Sequence, residues 1–277
     1  MSPIFLKKIL FVVIAIFLAG CSLQSNQITT TPLDESFTSN DQRKLNLIIG
    51  GGRLNLSAGE QDAITGEIQN NEPDRQPEIN NEANAITIEQ NSIYRISTSP
   101  NEKTINDWTL QLANSPLDLE VESRATINNF NLTGVPFHSL TLLDSVTATE
   151  ISLDDLNPIK LENFEIGSSG SNFVFRGISN ANFEEMNVRA VGGSYILDFS
   201  GVLQQDANIT LVAGLGVLQV EIPAEIPATI TISGTTSGMN TQGNWTTNQN
   251  VYTNPGEGHQ LIIEIFMDMG TVELVLK

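Results

Sequence analysis

The sequence predicts an all-β protein built from short stacked strands, and three observations lead to this fold class. Apolar and polar residues alternate along most of the chain after residue 44, which places one set of side chains inward, as in β-strands. In the second half an apolar pattern recurs about every 23 residues, each time followed by a short turn and another alternating run. Helical patterns are nearly absent. This period predicts a β-solenoid whose rungs stack into one core, while an antiparallel sandwich or barrel stays open because it needs the same alternation.

The first 20 residues have the composition of a signal peptide, predicted as a helix. Two lysines precede an unbroken apolar run at 9–18, which is too short to span a bilayer. The stretch LAGC at 18–21 ends in Cys21, the only cysteine of the chain. It resembles the bacterial lipobox, which implies cleavage before Cys21 and lipid attachment to its thiol. A plain secretory signal and an uncleaved anchor helix are the alternatives.

The next segments predict a tether and a first β region. Residues 21–44 are rich in Ser, Thr, Asn and Gln and lack periodicity, which is typical of a flexible tether. Residues 45–123 begin with LNLIIGGGRLNLSAG, an alternating run around three glycines that predicts strand, turn and strand. Further strands are predicted at 63–69, 85–90, 94–98 and 108–123, with a long hairpin loop at 70–84.

Residues 124–277 form the repeated region. Leu142, Ile166, Val188 and Leu211 occupy the same apolar position in four successive repeats, so they are predicted to stack on one inward face. Glycines such as Gly192, Gly193, Gly214, Gly216 and Gly270 fall where tight turns would reverse the strands. The last run, at 261–277, is predicted as a terminal strand pair that caps the fold or offers an edge to a partner.

The charge of the chain excludes one class of partner. The formal net charge is −19, and removal of a signal peptide that contains two lysines would leave the mature chain more acidic still. Nucleic acid binding needs clustered Lys and Arg, so it is excluded. An acidic surface is also repelled by anionic headgroups. The lipid on Cys21 is therefore expected to hold the protein at the membrane, on the extracytoplasmic face of the bacterial cytoplasmic membrane.

No pattern in the sequence predicts catalytic residues, a cofactor or a metal site. His138 and His259 are the only histidines, and no G-x-S-x-G stretch accompanies them. Adjacent carboxylates at 154–155 and 184–185 would point to opposite faces of a strand. Solvated loop residues are preferred over a calcium site at 70–84. Core or turn packing is preferred over a sugar-binding platform for the scattered aromatic residues Trp108, Trp245, Tyr195 and Tyr252.

Several stretches in order resemble the bacterial toast-rack family, a domain of unknown function. They are LNLSAGEQDAITGEIQNNEPDRQPEI, NDWTLQLANSPLDLEVES, ITLVAGLGVLQVEIPAEIPATITISG, VYTN and IIEIFMDMGTVELVLK. The C-terminal ones also resemble the LiaF-like, cell-wall-active-antibiotics-response type of envelope protein. The resemblance implies an all-β rack of strands and no established catalytic residue.

The expected function is that of a non-enzymatic, lipid-anchored module that binds an envelope protein or senses a signal at the cell surface. An adhesin-like or structural surface protein is the alternative, and a cell-wall-polymer hydrolase is the third possibility.

Overall fold

The structure is a computed structural model that describes residues 27–39, 42–72, 75–90 and 104–277. Within these residues the regular elements are β-strands and a short 3-10 helix at Ile178–Ala181. The strands are β1 (Thr29–Ser36), β2 (Arg43–Ala58), β3 (Ala63–Asn70), β4 (Pro77–Glu82), β5 (Ala85–Gln90), β6 (Asn106–Leu112), β7 (Leu117–Asn131), β8 (Phe137–Ser145), β9 (Ala148–Ser152), β10 (Asn163–Arg176), β11 (Glu185–Asp198), β12 (Ala207–Ala213), β13 (Gly216–Ile222), β14 (Ala228–Gln242), β15 (Thr246–Asn248), β16 (Val251–Asn254) and β17 (Leu261–Leu276).

Most strands pair in parallel with the strand of the next rung, which confirms the stacked all-β fold class and favours the solenoid over the antiparallel sandwich. The predicted inward position forms one continuous column along the stack. Its members, from one end to the other, are Ile88, Leu47, Val121, Leu142, Ile166, Val188, Leu211, Ile265 and Ile232. All of them are buried. Each rung is too small to bury its apolar face alone, so stacking supplies the core.

A rung is one long strand, such as β10 or β11, or two short ones in succession, such as β8 and β9. Such a rung bends at a corner that separates two faces of the stack. The bend residue has a positive φ on several rungs, namely at Gly51, Ala125, Val146, Gly170, Gly192 and Met269. Gly193 follows the bend, and a Cβ there would lie 2.1 Å from the backbone oxygen of Ser171 on the neighbouring rung. The predicted glycine turns are therefore corners between two parallel-paired faces, and the chain does not reverse at them.

The chain returns to the next rung through loops held by asparagine side chains. The Asn157 amide accepts from the Phe137 backbone N–H at 3.1 Å and donates to its carbonyl oxygen at 2.8 Å. Asn180 donates to the carbonyl oxygen of Leu153 at 2.8 Å and accepts from the Val202 backbone N–H at 2.9 Å. Buried loop backbone needs such partners because it lacks those of a regular strand.

The predicted tether at 21–44 is wrong over Thr29–Ser36, which forms β1. This strand pairs antiparallel with β3, and Leu33 is buried beneath it. Leu33 is the one apolar side chain of TTTPLDES, so the strand has almost no alternation to detect. Backbone pairing with the edge of β3 supplies what the side chains do not.

The predicted loop at 70–84 is also wrong in part, because Pro77–Glu82 forms β4 and pairs antiparallel with β5. Its Pro, Asn and Glu residues disfavour a strand locally, but an edge strand tolerates them. At the predicted boundary between residues 123 and 124, β7 runs through without interruption. The signal peptide at 1–20, Cys21 and the predicted strand at 94–98 lie outside the described residues.

The C-terminal run is an interior rung, which corrects both readings of it as a cap or an exposed edge. On one side β17 pairs with β12 and β13, and on the other side with β14. After β14 the chain turns back through β15 and β16. It then places β17 between β14 on one side and the rung of β12 and β13 on the other. At the opposite end β2 is likewise interior, between β7 on one side and β5 and β6 on the other.

Candidate functional site

Several exposed apolar residues lie near the corner of the stack. We define the corner ridge as Val146, Val191, Leu215 and Met269, whose side chains are between 52% and 66% exposed. Leu215 and Met269 belong to neighbouring rungs, since Gly216 pairs with Gly270 one residue further on. Because a side chain at an outer corner points away from both sheets, these residues cannot join the core. The fold therefore holds them in water at a cost.

A shallow groove lies beside the corner ridge on the first face. It has a volume of about 350 Å³, and its lining includes Gly167 with Leu143 and Arg189, its neighbours on the adjoining rungs. A Cβ on Gly167 would lie 3.0 Å from Leu143 Cδ2. Phe266, about half exposed, extends the apolar surface of this face toward β17. Ridge and groove together form an extended surface with apolar and charged parts.

A second, polar pocket of about 420 Å³ lies at the start of β2. Arg43 forms an ion pair with Asp62, and the Ser115 hydroxyl donates to Asp62 Oδ1 at 2.5 Å. The hydrogen bond from Ser115 lowers the pKa of Asp62, burial opposes this effect, and Arg43 reinforces it. The carboxylate is thus held ionised beside a guanidinium, an arrangement suited to binding a polar group.

His138 borders the same pocket and was one of the two histidines considered for catalysis. A register shift between β7 and β8 leaves His138 as the extra residue of a bulge, which turns its ring outward. Its Nδ1 lies 3.1 Å from Asp118 Oδ1 and its Nε2 lies 3.4 Å from Glu162 Oε2. Both ring nitrogens therefore face carboxylates, and the Ser115 hydroxyl faces Asp62, so these groups do not form a Ser–His–Asp arrangement.

The other residues considered in the sequence are not brought together. Trp108 and Tyr195 are buried in the core, which removes them from any sugar-binding platform. The pair at 154–155 is exposed in a loop, and Glu184 forms an ion pair with Lys160 at 2.8 Å. In the described part of the chain no three His, Cys, Asp or Glu side chains cluster in a way that could hold a metal ion. No helix among the described residues is long and apolar enough to cross a membrane.

Neither the corner ridge nor the Arg43 pocket was predicted from the sequence. The ridge had a faint signal, because apolar residues stand in turns where small polar ones are usual, as at Val146 in the turn LDSV. The Arg43 pocket had none, since Arg43, Asp62 and Ser115 are separated along the chain and meet only when β2 and β7 pair.

Comparison with known proteins places this architecture in a family. Residues 22–165 match the family described as the N-terminal domain of toast_rack, DUF2154. No curated protein matches the chain.

Three bacterial proteins are among the solved structures that match the chain. A candidate cell adhesion protein of Clostridium sporogenes is 18% identical with a TM-score of 0.50, over 91% of this chain and 100% of that one. A candidate adhesin of Bacteroides fragilis is 10% identical with a TM-score of 0.37, over 91% and 98%. A candidate adhesin of Parabacteroides merdae is 13% identical with a TM-score of 0.39, over 90% and 97%. At 18% identity, the similarity to the Clostridium sporogenes protein concerns the fold alone.

Proposed function

The chain belongs to the toast-rack family, and from this premise we propose that it is a non-enzymatic binding protein of the bacterial envelope, anchored by lipid. Its stack would present the corner ridge and the adjoining groove to another macromolecule. The corner ridge as binding surface and Cys21 as lipid anchor are tested by separate experiments.

The corner ridge is the observation that carries the proposal. Four large apolar side chains follow one corner of a protein whose net charge is −19. Exposed apolar residues scattered singly are normal, but four of them near one corner, beside a groove, mark an interaction surface. A partner that covers the ridge would remove this area from water, which gives about 25 cal/mol for each Å² of apolar surface buried.

Adhesion is the kind of binding that we favour. The Clostridium sporogenes protein of similar fold is named as a candidate cell adhesion protein, and the likeness spans its whole length. Adhesion needs a long, rigid surface and no chemical step, and the stack of parallel rungs provides such a surface. A sensing role would use the same surface, with a partner whose binding changes under envelope stress.

The surface is tested by crosslinking in intact cells with Leu215→Asp. This variant places a charge in the middle of the ridge, and we expect recovery of the crosslinked partner to fall at least tenfold while thermal stability is unchanged. Val202→Asp is the matched control, because Val202 is also 59% exposed but lies in the loop between β11 and β12. Equal recovery with both variants would overturn the ridge as the binding surface.

The same experiment separates the possible roles. A partner recovered equally with and without wall-active antibiotics supports adhesion, and one recovered only with them supports sensing. Release of fragments from purified cell wall by the protein would contradict the non-enzymatic proposal and support the hydrolase alternative.

The anchor is tested by mass spectrometry of the mature N-terminus. The stretch at 18–21 leads us to expect a chain that begins at Cys21 with a diacylglycerol on the thiol. Cys21→Ala should leave an uncleaved precursor. An unmodified thiol at Cys21 in the mature protein would contradict the proposal that a lipid on Cys21 anchors the protein.

A further inference from the structure

The interior of the corner contains a polar cluster in a core that is otherwise apolar. Three rungs contribute to it: β7, the rung of β8 and β9, and β10. We define the corner cluster as Ser123, Thr126, Asn128, Asp144, Thr147, Thr149, Ser168 and Ser171. Each of these residues is at most 9% exposed. The adjoining rungs have apolar residues or glycine at the equivalent positions, so the polar character is confined to three rungs.

Asp144 lies at the centre of the cluster and is surrounded by hydroxyl groups. Its Oδ2 accepts from Thr147 Oγ1 at 2.7 Å and from Thr149 Oγ1 at 3.0 Å, and its Oδ1 accepts from Ser171 Oγ at 3.2 Å. Among the described residues the ion pairs involve other carboxylates, and none includes Asp144. A buried carboxylate without a cationic partner is costly.

Three further oxygen atoms of the cluster have no hydrogen-bond partner: Thr126 Oγ1, Asn128 Oδ1 and Ser168 Oγ. The Asn128 amide nitrogen donates to Ser123 Oγ and Thr149 Oγ1, both at 2.9 Å, which fixes its oxygen inside the cluster. A buried polar atom left without a partner costs about 1–3 kcal/mol. Three such atoms beside one carboxylate indicate that something polar belongs among them.

We propose that the corner cluster binds one hard monovalent cation of the Na⁺ or K⁺ class. The side-chain oxygens are hydroxyl, amide and carboxylate oxygens, which are the ligands that hard cations prefer. One carboxylate balances one positive charge, whereas a divalent ion would leave a buried excess charge. Thr147, Thr149 and Ser171 direct their hydroxyl hydrogens at Asp144, and each oxygen keeps lone pairs with which it can contact a cation.

The cation also has a route of entry. Ser123, Asp144 and Ser168 line the outer groove beside Gly167, so this part of the cluster borders the groove directly. On the next rung Tyr195 closes the cluster. Its hydroxyl donates to the carbonyl oxygen of Gly192 at 2.8 Å and lies 3.3 Å from that of Ser168. Its burial, which raises the pKa of Tyr195, keeps that hydroxyl a donor.

The test is the melting temperature of the full chain in detergent as NaCl or KCl replaces N-methyl-D-glucamine chloride at constant ionic strength. A cation that binds only the folded state leaves Tm almost unchanged at concentrations far below its Kd. Above the Kd, Tm rises about linearly with the logarithm of the cation concentration. We expect this rise in the wild type, its loss in Asp144→Asn, and a response shifted to about tenfold higher concentration in Thr149→Val. Glu150→Gln is the control, because Glu150 is an exposed carboxylate one residue from the cluster, and its response should match the wild type.

A direct measurement keeps the proposal testable if Asp144→Asn does not fold. Crystals grown in RbCl or TlCl should give an anomalous peak within the corner cluster. A melting temperature that is equal in all three chlorides, a rise with CaCl₂ alone, or a cluster filled by water without an anomalous peak would overturn the proposal.

Discussion

Val188 lies between Ile166 and Leu211 on the adjoining rungs, and its side chain is 4% exposed. A carboxylate at this position would be buried without a partner in the centre of the inward column. We expect Val188→Asp to destabilise the fold by about 4 kcal/mol or more, which is the range reached by unpaired buried charges. Arg189→Asp, one residue further on an outward position, should cost less than about 0.5 kcal/mol. Urea unfolding of both variants measures the difference, and similar midpoints would contradict the register.

Val146 has a strained backbone conformation at the corner. Its φ is 57°, a left-handed value that is rare for a β-branched residue. Val146→Gly should therefore stabilise the protein by about 1 kcal/mol, since glycine adopts this conformation without a clash. Val191→Gly is the matched control on the same ridge, where φ is not positive, and it should lower stability. Thermal melting of the two variants checks the sign, and a loss of stability in Val146→Gly would show that no strain is stored there.

Alternation in the sequence predicted which residues face inward, because the period of two depends only on neighbours along the chain. Leu142 and its three partners were found in this way. Asp144 was missed because it stands in the same inward register but is polar, so the turn LDSV appeared to end the strand. Its neighbours in space, Asn128 and Ser171, come from other rungs, and no local pattern links them.

At the level of elements, the position of β17 could not have been predicted from the sequence. Its alternation fits any rung of the stack, and β12 lies about 50 residues away from it along the chain. The hairpin of β15 and β16 occupies the outer edge of β14, so the inner edge remains for β17.

The end of β17 is fixed by Lys277, which ties three strands together. Its Nζ lies 3.0 Å from Asp198 Oδ2 at the end of β11 and also forms an ion pair with Glu221 in β13. Burial of Lys277 disfavours the charged amine, but hydrogen bonds to Glu221 and Asp198 outweigh burial and raise its pKa above the ordinary 10.5. A raised pKa means that the stabilisation is complete below pH 10.5 and is lost as the pH rises through the higher folded-state value.

We therefore expect Lys277→Met to lower stability by about 1 kcal/mol at pH 7–9, a modest value because the lysine is nearly half exposed. The difference from the wild type should shrink above pH 10.5. Lys160→Met is the control, since Lys160 and Glu184 are both about half exposed and their pair should contribute little. A difference that persists unchanged at pH 12 would assign the effect to packing of the side chain.

On the scale of the whole molecule, β1 shortens the segment that would link the folded body to a lipid on Cys21. If Cys21 is lipidated, only about eight residues separate the lipid from Thr29, where β1 begins. Such a segment spans at most about 28 Å when fully extended. The predicted tether, ending at residue 44, would have allowed about 80 Å. With a lipid on Cys21, docking of β1 on β3 would keep the stack close to the bilayer and would limit the partners that the corner ridge can reach.

Release of β1 should move the body away from the membrane. Leu33→Asp buries a charge under β1 and should undock this strand, while β3 stays in place because it also pairs with β6. A dye on Glu60→Cys, in an exposed loop, reports the distance to acceptor-labelled lipid headgroups in vesicles that hold the lipidated protein. We expect energy transfer to fall by at least half in Leu33→Asp. Pro32→Asp adds the same charge at an exposed position of β1 and should leave the transfer unchanged. Because the two variants carry equal charge, equal transfer in both would mean that β1 does not set the distance between the body and the bilayer.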